Sequence, residues 1–328
     1  MSTQTESKIN HLLHSYPKGA VLLSSWLTKE GYSLDLQKRY KSSRWLDSIG
    51  RGAMVRSGET VDYLGAIYAL QAQPGWSVHP GGRSALSLLG KSQYLELSTQ
   101  KAVLFADAKT NLPSWFKKYD WGLEINFYAS SFLPPHLGLT TLDLNNFSIK
   151  VSGTARGIME CLFLAPKKQQ LLEAYELMEG LNNLRPDLVQ SLLEQCESVK
   201  VKRLFLYLAE KSEHDWFNYL NIKKIDLGKG KRSLVAGGVY IAKYQITVPK
   251  ELEPHLCYNL YSKRKESKRM SSPKTLTSLR DKTNFIIKSR EANYRASLRL
   301  EGFTVTSNTP PKGQSIKQLV EKYRVPVS

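Results

Sequence analysis

Three groups of residues in this 328-residue chain have the types and spacing to do chemistry. Ser297 and Glu301 stand four apart with Gly302 immediately after, so on a helix they lie one above the other on one face, and the glycine supplies a C-terminal stop. A carboxylate in a last helical turn opposes the macrodipole, where a cation would be favoured by about 0.3–1 kcal/mol. Such broken local rules gather at functional sites; the plain alternative is that Glu301 pairs with Arg295 or Arg299, or sits in water. The second group is Gln37, Lys38, Arg39, Lys41, Ser42, Ser43 and Arg44, joined by Arg56. Cations there neutralise phosphates and release counterions, and Gln and Arg have the fork geometry for base edges in the major groove. The plain alternative is a basic solvated helix.

The third group carries catalytic possibilities, and each is incomplete. Asp143 followed by Ser148 and Lys150 approaches a metal-dependent nuclease spacing, but Ser148 occupies the position of the second metal-binding carboxylate. His214 and Asp215 are neighbours in sequence, and adjacent residues on a helix point in different directions. Gly228-Lys229-Gly230-Lys231-Arg232-Ser233 lacks the spacing of a nucleotide-binding loop and precedes a strand; as a basic turn it could touch phosphate. Gly81-Gly82 at a helix start could present backbone N–H groups to an anion, though a tight turn is simpler. Catalysis is therefore not expected, nor is a metal or cofactor.

The elements that position these residues follow from periodicity. Ser33 is an N-cap for a helix that buries Leu34, Tyr40, Trp45 and Leu46 on one face. Gly50 and Gly52 then stop the helix, Ala53 to Arg56 reads as a strand, Ser57-Gly58 as a tight turn, and Thr60 to Tyr63 as the return strand. Amphipathic segments Ile9 to Tyr16 and Ala20 to Lys29 precede it, which completes a winged helix-turn-helix over residues 1–64. Residues 65–254 read as a mixed α/β domain. It begins with helices around Gly65 to Gln71 and after Gly82, followed by strands at Lys101 to Ala106, Leu123 to Tyr128 and Leu142 to Val151. Helices follow at Gly157 to Leu164, Gln169 to Leu181, Leu188 to Ser198 and Val201 to Glu210, and a hairpin at Ser233 to Val248 closes the domain. Residues 255–274 form a basic linker, and a helical extension, 275–328, carries Ser297 and Glu301. The fold class is thus α+β, mixed.

Charge agrees with a polyanionic partner. The chain holds 47 Lys and Arg against 29 Asp and Glu, a formal charge of +18, and residues 255–328 alone hold sixteen cations against five acids. The three scattered cysteines, Cys161, Cys196 and Cys257, have neither disulfide nor metal-ligand spacing. No leader or membrane span is read from the chain, so a cytoplasmic, nucleoid-associated protein is expected.

Trp26-Leu27, Tyr40, Trp45-Leu46, Gly50-Arg51-Gly52-Ala53, Gly65 to Gln71, Val78-His79-Pro80-Gly81-Gly82 and Leu88-Leu89-Gly90 together resemble the AbiEi family, over roughly residues 8–250. These are antitoxins of type IV toxin–antitoxin and abortive-infection modules of bacterial phage defence. The resemblance implies a winged helix that represses the module's own promoter at inverted repeats. It also implies a larger domain needed for antitoxicity, and a nucleotidyltransferase-like (AbiEii) toxin as usual partner. Lys288 to Phe303, with Asn293 and the complete pattern Ser297-Leu298-Arg299-Leu300-Glu301-Gly302, resembles the inhibitory helix of antitoxins that restrain Fic-domain AMP-transferases, including YhfG-like ones. Carried over, Glu301 would pair with an arginine of the toxin's nucleotide pocket and obstruct placement of the ATP γ-phosphate. Ser297 would support it by hydrogen bonding, and Gly302 would let the chain turn away.

The expectation is a non-enzymatic, DNA-binding antitoxin and transcription repressor that binds its own operator and a cognate toxin, a Fic-type toxin being favoured. The alternative is an AbiEi antitoxin of the usual kind with an incidental tail; a nucleic-acid enzyme is a distant third.

Overall fold

The computed structural model describes residues 7–91 and 101–253, all within the first of two units, Met1–Leu260 and Tyr261–Ser328. The expected linker and the tail with Ser297, Glu301 and Gly302 lie outside the described residues.

Helix α1 (Lys8–Ser15), strand β1 (Leu22–Leu23), helices α2 (Ser24–Lys29) and α3 (Leu34–Ser42), and strands β2 (Leu46–Gly50) and β3 (Ala53–Arg56) follow one another in the order of a winged helix-turn-helix. Ser33 caps α3, its hydroxyl accepting from the Leu36 N–H at 3.3 Å. The three strands form an antiparallel sheet in the order β1-β3-β2. Alternation along β3 sends Met54 to a core with Leu12, Leu27 and Tyr40, and Ala53 and Val55 to a second core with Ile67, Leu70 and Trp115. All four residues of β3 are buried, because helices cover one face and the following domain the other.

The wing differs from expectation. Its turn is Arg51-Gly52, with Gly52 at φ +84°, so Gly50 and Gly52 bend the hairpin and do not stop the helix. Helix α3 ends earlier, at Ser42 with Ser43 as its cap, and Arg44 just beyond adopts φ 55°. Trp45 consequently leaves the buried face and is 47% exposed, and Leu34, at the helix start, is also exposed. The expected return strand at Thr60–Tyr63 is instead a loop up to Asp62 and the first residue of the next helix, Tyr63; the Asp62 carboxylate accepts from the Gly65 N–H at 2.9 Å and caps that helix.

That helix, α4 (Tyr63–Ala72), is apolar almost all round and correspondingly buried. Strands β4 (His79–Pro80), β5 (Lys101–Ala106) and β6 (Glu124–Ala129) form one sheet, β4 antiparallel and β6 parallel to β5. Helices α5 (Gly82–Leu88) and α6 (Ser114–Lys118) flank β5 in sequence. The stretch Leu142 to Val151, expected as one strand, is a hairpin of β7 (Leu139–Asp143) and β8 (Ser148–Ser152). It docks on α4 through Gln71, whose side chain exchanges hydrogen bonds with the Lys150 backbone at 2.8 and 2.9 Å. Helices α7 (Thr154–Leu164), α8 (Leu171–Glu179), α9 (Pro186–Gln195) and α10 (Val199–Lys211) form the largest core. The closing segment is a sheet of β9 (Arg232–Ser233), β10 (Val239–Ile241) and β11 (Ile246–Val248), where β10 and β11 pair as a hairpin and β9 runs parallel to β11. Apart from the strand expected at Leu142–Val151, which is a two-stranded hairpin, the expected elements from Gly65 to Val248 are present, most with shifted ends, and the fold is mixed α+β.

Candidate nucleic-acid interface

The outward face of α3 is basic. Lys38, Arg39, Lys41, Ser42, Ser43 and Arg44 are all exposed, as their expected role requires. Gln37 is not among them. It is 3% exposed, its amide donating to the Tyr32 carbonyl at 2.8 Å and the Thr28 hydroxyl at 3.1 Å while its oxygen accepts from the Ser24 hydroxyl at 2.6 Å. The expected base contact is therefore corrected: every polar atom of this amide is committed inside the protein, where it fixes α3 against α2 and the turn between them. A buried amide so satisfied sets a geometry, since any other helix crossing would strand its donors.

Arg56 is corrected in the same way. The residue is 9% exposed, and its guanidinium donates to the Tyr16 carbonyl and lies 3.5 Å from Glu59, which ties the end of the sheet to the end of α1. Arg51 takes its place as the exposed cation of the wing, at the tip of the hairpin; the signal was a basic residue bracketed by turn glycines. Arg44 stands in a left-handed conformation that L side chains enter at a cost of about 1 kcal/mol or more, where glycine would be free of strain. The helix is closed there by the Trp45 N–H on the Tyr40 carbonyl at 2.9 Å.

The wing is held against α6. A β-carbon at Gly50 would lie 2.7 Å from the Trp115 β-carbon, so only glycine lets β2 rest on α6. Ile49 packs into the same core as Trp115 and Phe116.

The possible catalytic groups turn into architecture. Ser148 donates to Asp143 at 2.6 Å across the hairpin, and Lys150 donates to Thr141 at 2.7 Å. His214 is buried, its Nε2 hydrogen-bonded to the Met178 carbonyl at 2.7 Å and its ring stacked on Trp216. The turn Gly228 to Ser233 points carbonyls inward, where the buried Arg203 guanidinium donates to the oxygens of Leu227, Gly228 and Gly230 at 2.6–3.0 Å. Burial lowers the pKa of Arg203. The side chains of Lys229, Lys231 and Arg232 are left exposed. Among the described residues no group of three or more His, Cys, Asp or Glu could hold a metal, and no helix is long and apolar enough to cross a membrane.

Sequence reasoning missed one buried cluster. Glu160 on α7 is fully buried and accepts from Ser152 Oγ at 2.7 Å, Arg156 Nε at 2.9 Å, the Gly82 N–H at 2.8 Å and His79 Nε2 at 3.3 Å. Desolvation pushes its carboxyl up, but His79, Arg156 and Ser152 together outweigh that and leave the pKa lowered. The anion that the Gly81-Gly82 turn serves is thus internal. A β-carbon at Gly81 would collide with Glu160 and Phe105, which is why the His79-Pro80-Gly81-Gly82 run has its composition.

Comparison with known proteins places a boundary near residue 98, beyond the wing and helices α4 and α5. Residues 5–97 match the family profile described as "Transcriptional regulator, AbiEi antitoxin N-terminal domain". Residues 99–249 match "Transcriptional regulator, AbiEi antitoxin, Type IV TA system", and residues 275–325 match YhfG. No curated protein matches. The crystal structure of the RV2827C protein from Mycobacterium tuberculosis aligns with a TM-score of 0.52 over 76% of this chain and 93% of that one, at 14% identity, a likeness of fold.

Proposed function

Because the chain belongs to the AbiEi family of type IV antitoxins and transcriptional regulators, we propose that it represses its own operon through α3 and the wing, and silences a Fic-type toxin through its tail. The observation that carries the first half is the exposed set Lys38, Arg39, Lys41 and Arg44 on α3, with Arg51 at the wing tip. Phosphate neutralisation by these cations supplies affinity and makes it fall with salt. The operator is expected as inverted repeats upstream of the chain's own reading frame.

The second half is supported by the YhfG match over residues 275–325, within which Ser297, Glu301 and Gly302 fall. Glu301 would form a charge-assisted pair with an arginine of the toxin's nucleotide pocket, and losing it would leave that arginine unpaired. Glu301→Gly is expected to abolish protection of cells that express the toxin, with operator affinity unchanged; undiminished protection overturns the tail mechanism.

A second reading is favoured by the extent of the two AbiEi profiles, which span residues 5–249 without the tail. On that reading the toxin is a nucleotidyltransferase-like protein, and a chain lacking residues 255–328 still protects.

A further inference from the structure

We propose that the first turn of α3 reads bases, with Asp35 accepting a hydrogen bond from a cytosine amino group and Leu34 packing on the methyl group of a neighbouring thymine. The inference rests on the winged-helix reading above and says which residues make it specific. With Gln37 and Arg56 turned inward, base discrimination falls to what the helix leaves exposed.

Asp35, Lys38 and Ser42 are spaced to share one stripe of α3, opposite the buried Gln37 and Tyr40. Leu34 flanks the stripe and is 59% exposed, an apolar side chain at the start of a helix whose other exposed residues are polar or charged. Asp35 is more open still, its side chain 84% exposed and 3.5 Å from Lys38 Nζ. A carboxylate amid Lys38, Arg39, Lys41 and Arg44 is repelled by phosphate, so facing a duplex it is tolerated only where it meets a donor. In the major groove, cytosine N4 and adenine N6 supply donors, and aspartate pairs with the former. The N-terminal residues of a recognition helix are those that reach base edges. Lys38, released from Asp35, is placed for the guanine O6 and N7 of the same or adjoining pair.

An acidic first turn also stabilises a helix through its dipole, and a dipole role alone predicts no base preference. The test therefore measures preference. The full-length chain is titrated against duplexes from the region upstream of its own reading frame, each position substituted in turn, with affinity read by fluorescence anisotropy at fixed salt. Wild type is expected to discriminate for cytosine at one position per half-site by about tenfold or more. Asp35→Ala removes that preference; Asp35→Asn, isosteric and suited to adenine N6 and N7, shifts it to adenine. Leu34→Ala abolishes the loss of affinity that wild type suffers when thymine is replaced by deoxyuridine. Circular dichroism melts confirm that the variants fold. If wild type binds none of the duplexes, the winged-helix reading fails and this inference with it. If wild type binds and Asp35→Ala keeps every base preference, this inference alone is overturned.

Discussion

The winged helix and the domain that follows it use the same charged residue types in opposite ways. On α3 the cations stand outside, with Lys38 near Asp35 in an open pair that contributes well under about 1 kcal/mol. Around α7 the charges stand inside, with Glu160 ringed by four donors, and Arg203 is closed over by backbone carbonyls. The difference teaches how to read a charge. A desolvated one is held by its partners and specifies a fold, whereas a solvated one without tight partners is free to serve a ligand.

Removing a charge from each region should have opposite consequences, and the largest effect is expected inside. Glu160→Gln should destabilise the chain by about 3–5 kcal/mol, the loss that follows from breaking a buried pair, measured by urea unfolding. Because the carboxyl's pKa is lowered in the folded protein, its contribution is present above its ordinary value of about 4.3 and is lost as pH falls through the folded value. The acid limb of the stability curve should therefore flatten in Glu160→Gln; an unchanged limb would remove Glu160 from the argument.

Gln37 sharpens the comparison because it lies on α3 but behaves like a residue of the second region. Gln37→Leu should cost about 1–3 kcal/mol of stability, the penalty for orphaned buried partners, and weaken operator binding with it. Loss of binding at full stability would return Gln37 to the DNA face. Arg39→Ala should leave stability unchanged and cost about 1–3 kcal/mol of operator affinity where a bidentate base contact is lost, with a gel-shift series over salt as the measurement. The smallest effect divides the two properties within one residue: Arg44→Gly relieves the left-handed strain and should raise stability by up to about 1 kcal/mol while lowering operator affinity. A fall in both would place Arg44 among the structural charges.

Much of this was legible in the sequence, in proportion to how local the physics is. Ser33 is read as a cap because capping depends on three residues, and the helices from α7 to α10 are read because their apolar spacing persists for two turns or more. Gly50 and Gly52 read equally well as helix stops or as a turn, and Gly58 as a turn, so the sequence alone puts the hairpin one turn late. Polarity places Gln37 on the solvent face; its burial depends on Ser24, Thr28 and Tyr32, whose approach no periodicity encodes. Glu160 and His79 are 81 residues apart, and nothing short of the folded chain brings them together. Asp143 and Ser148 were near in sequence, yet their meaning changed once a bend separated them.

The seat of Gly50 on Trp115 bears on how this chain could be recombined with another. A reader tethered by a free loop could be swapped between relatives like a cartridge. Here the hairpin and α6 are cut to fit each other, so a graft of residues 7–62 that put any side chain at position 50 would drive it into the backbone and β-carbon of Trp115. An exchange that keeps this fit must carry Trp115 along with the hairpin, or leave position 50 a glycine.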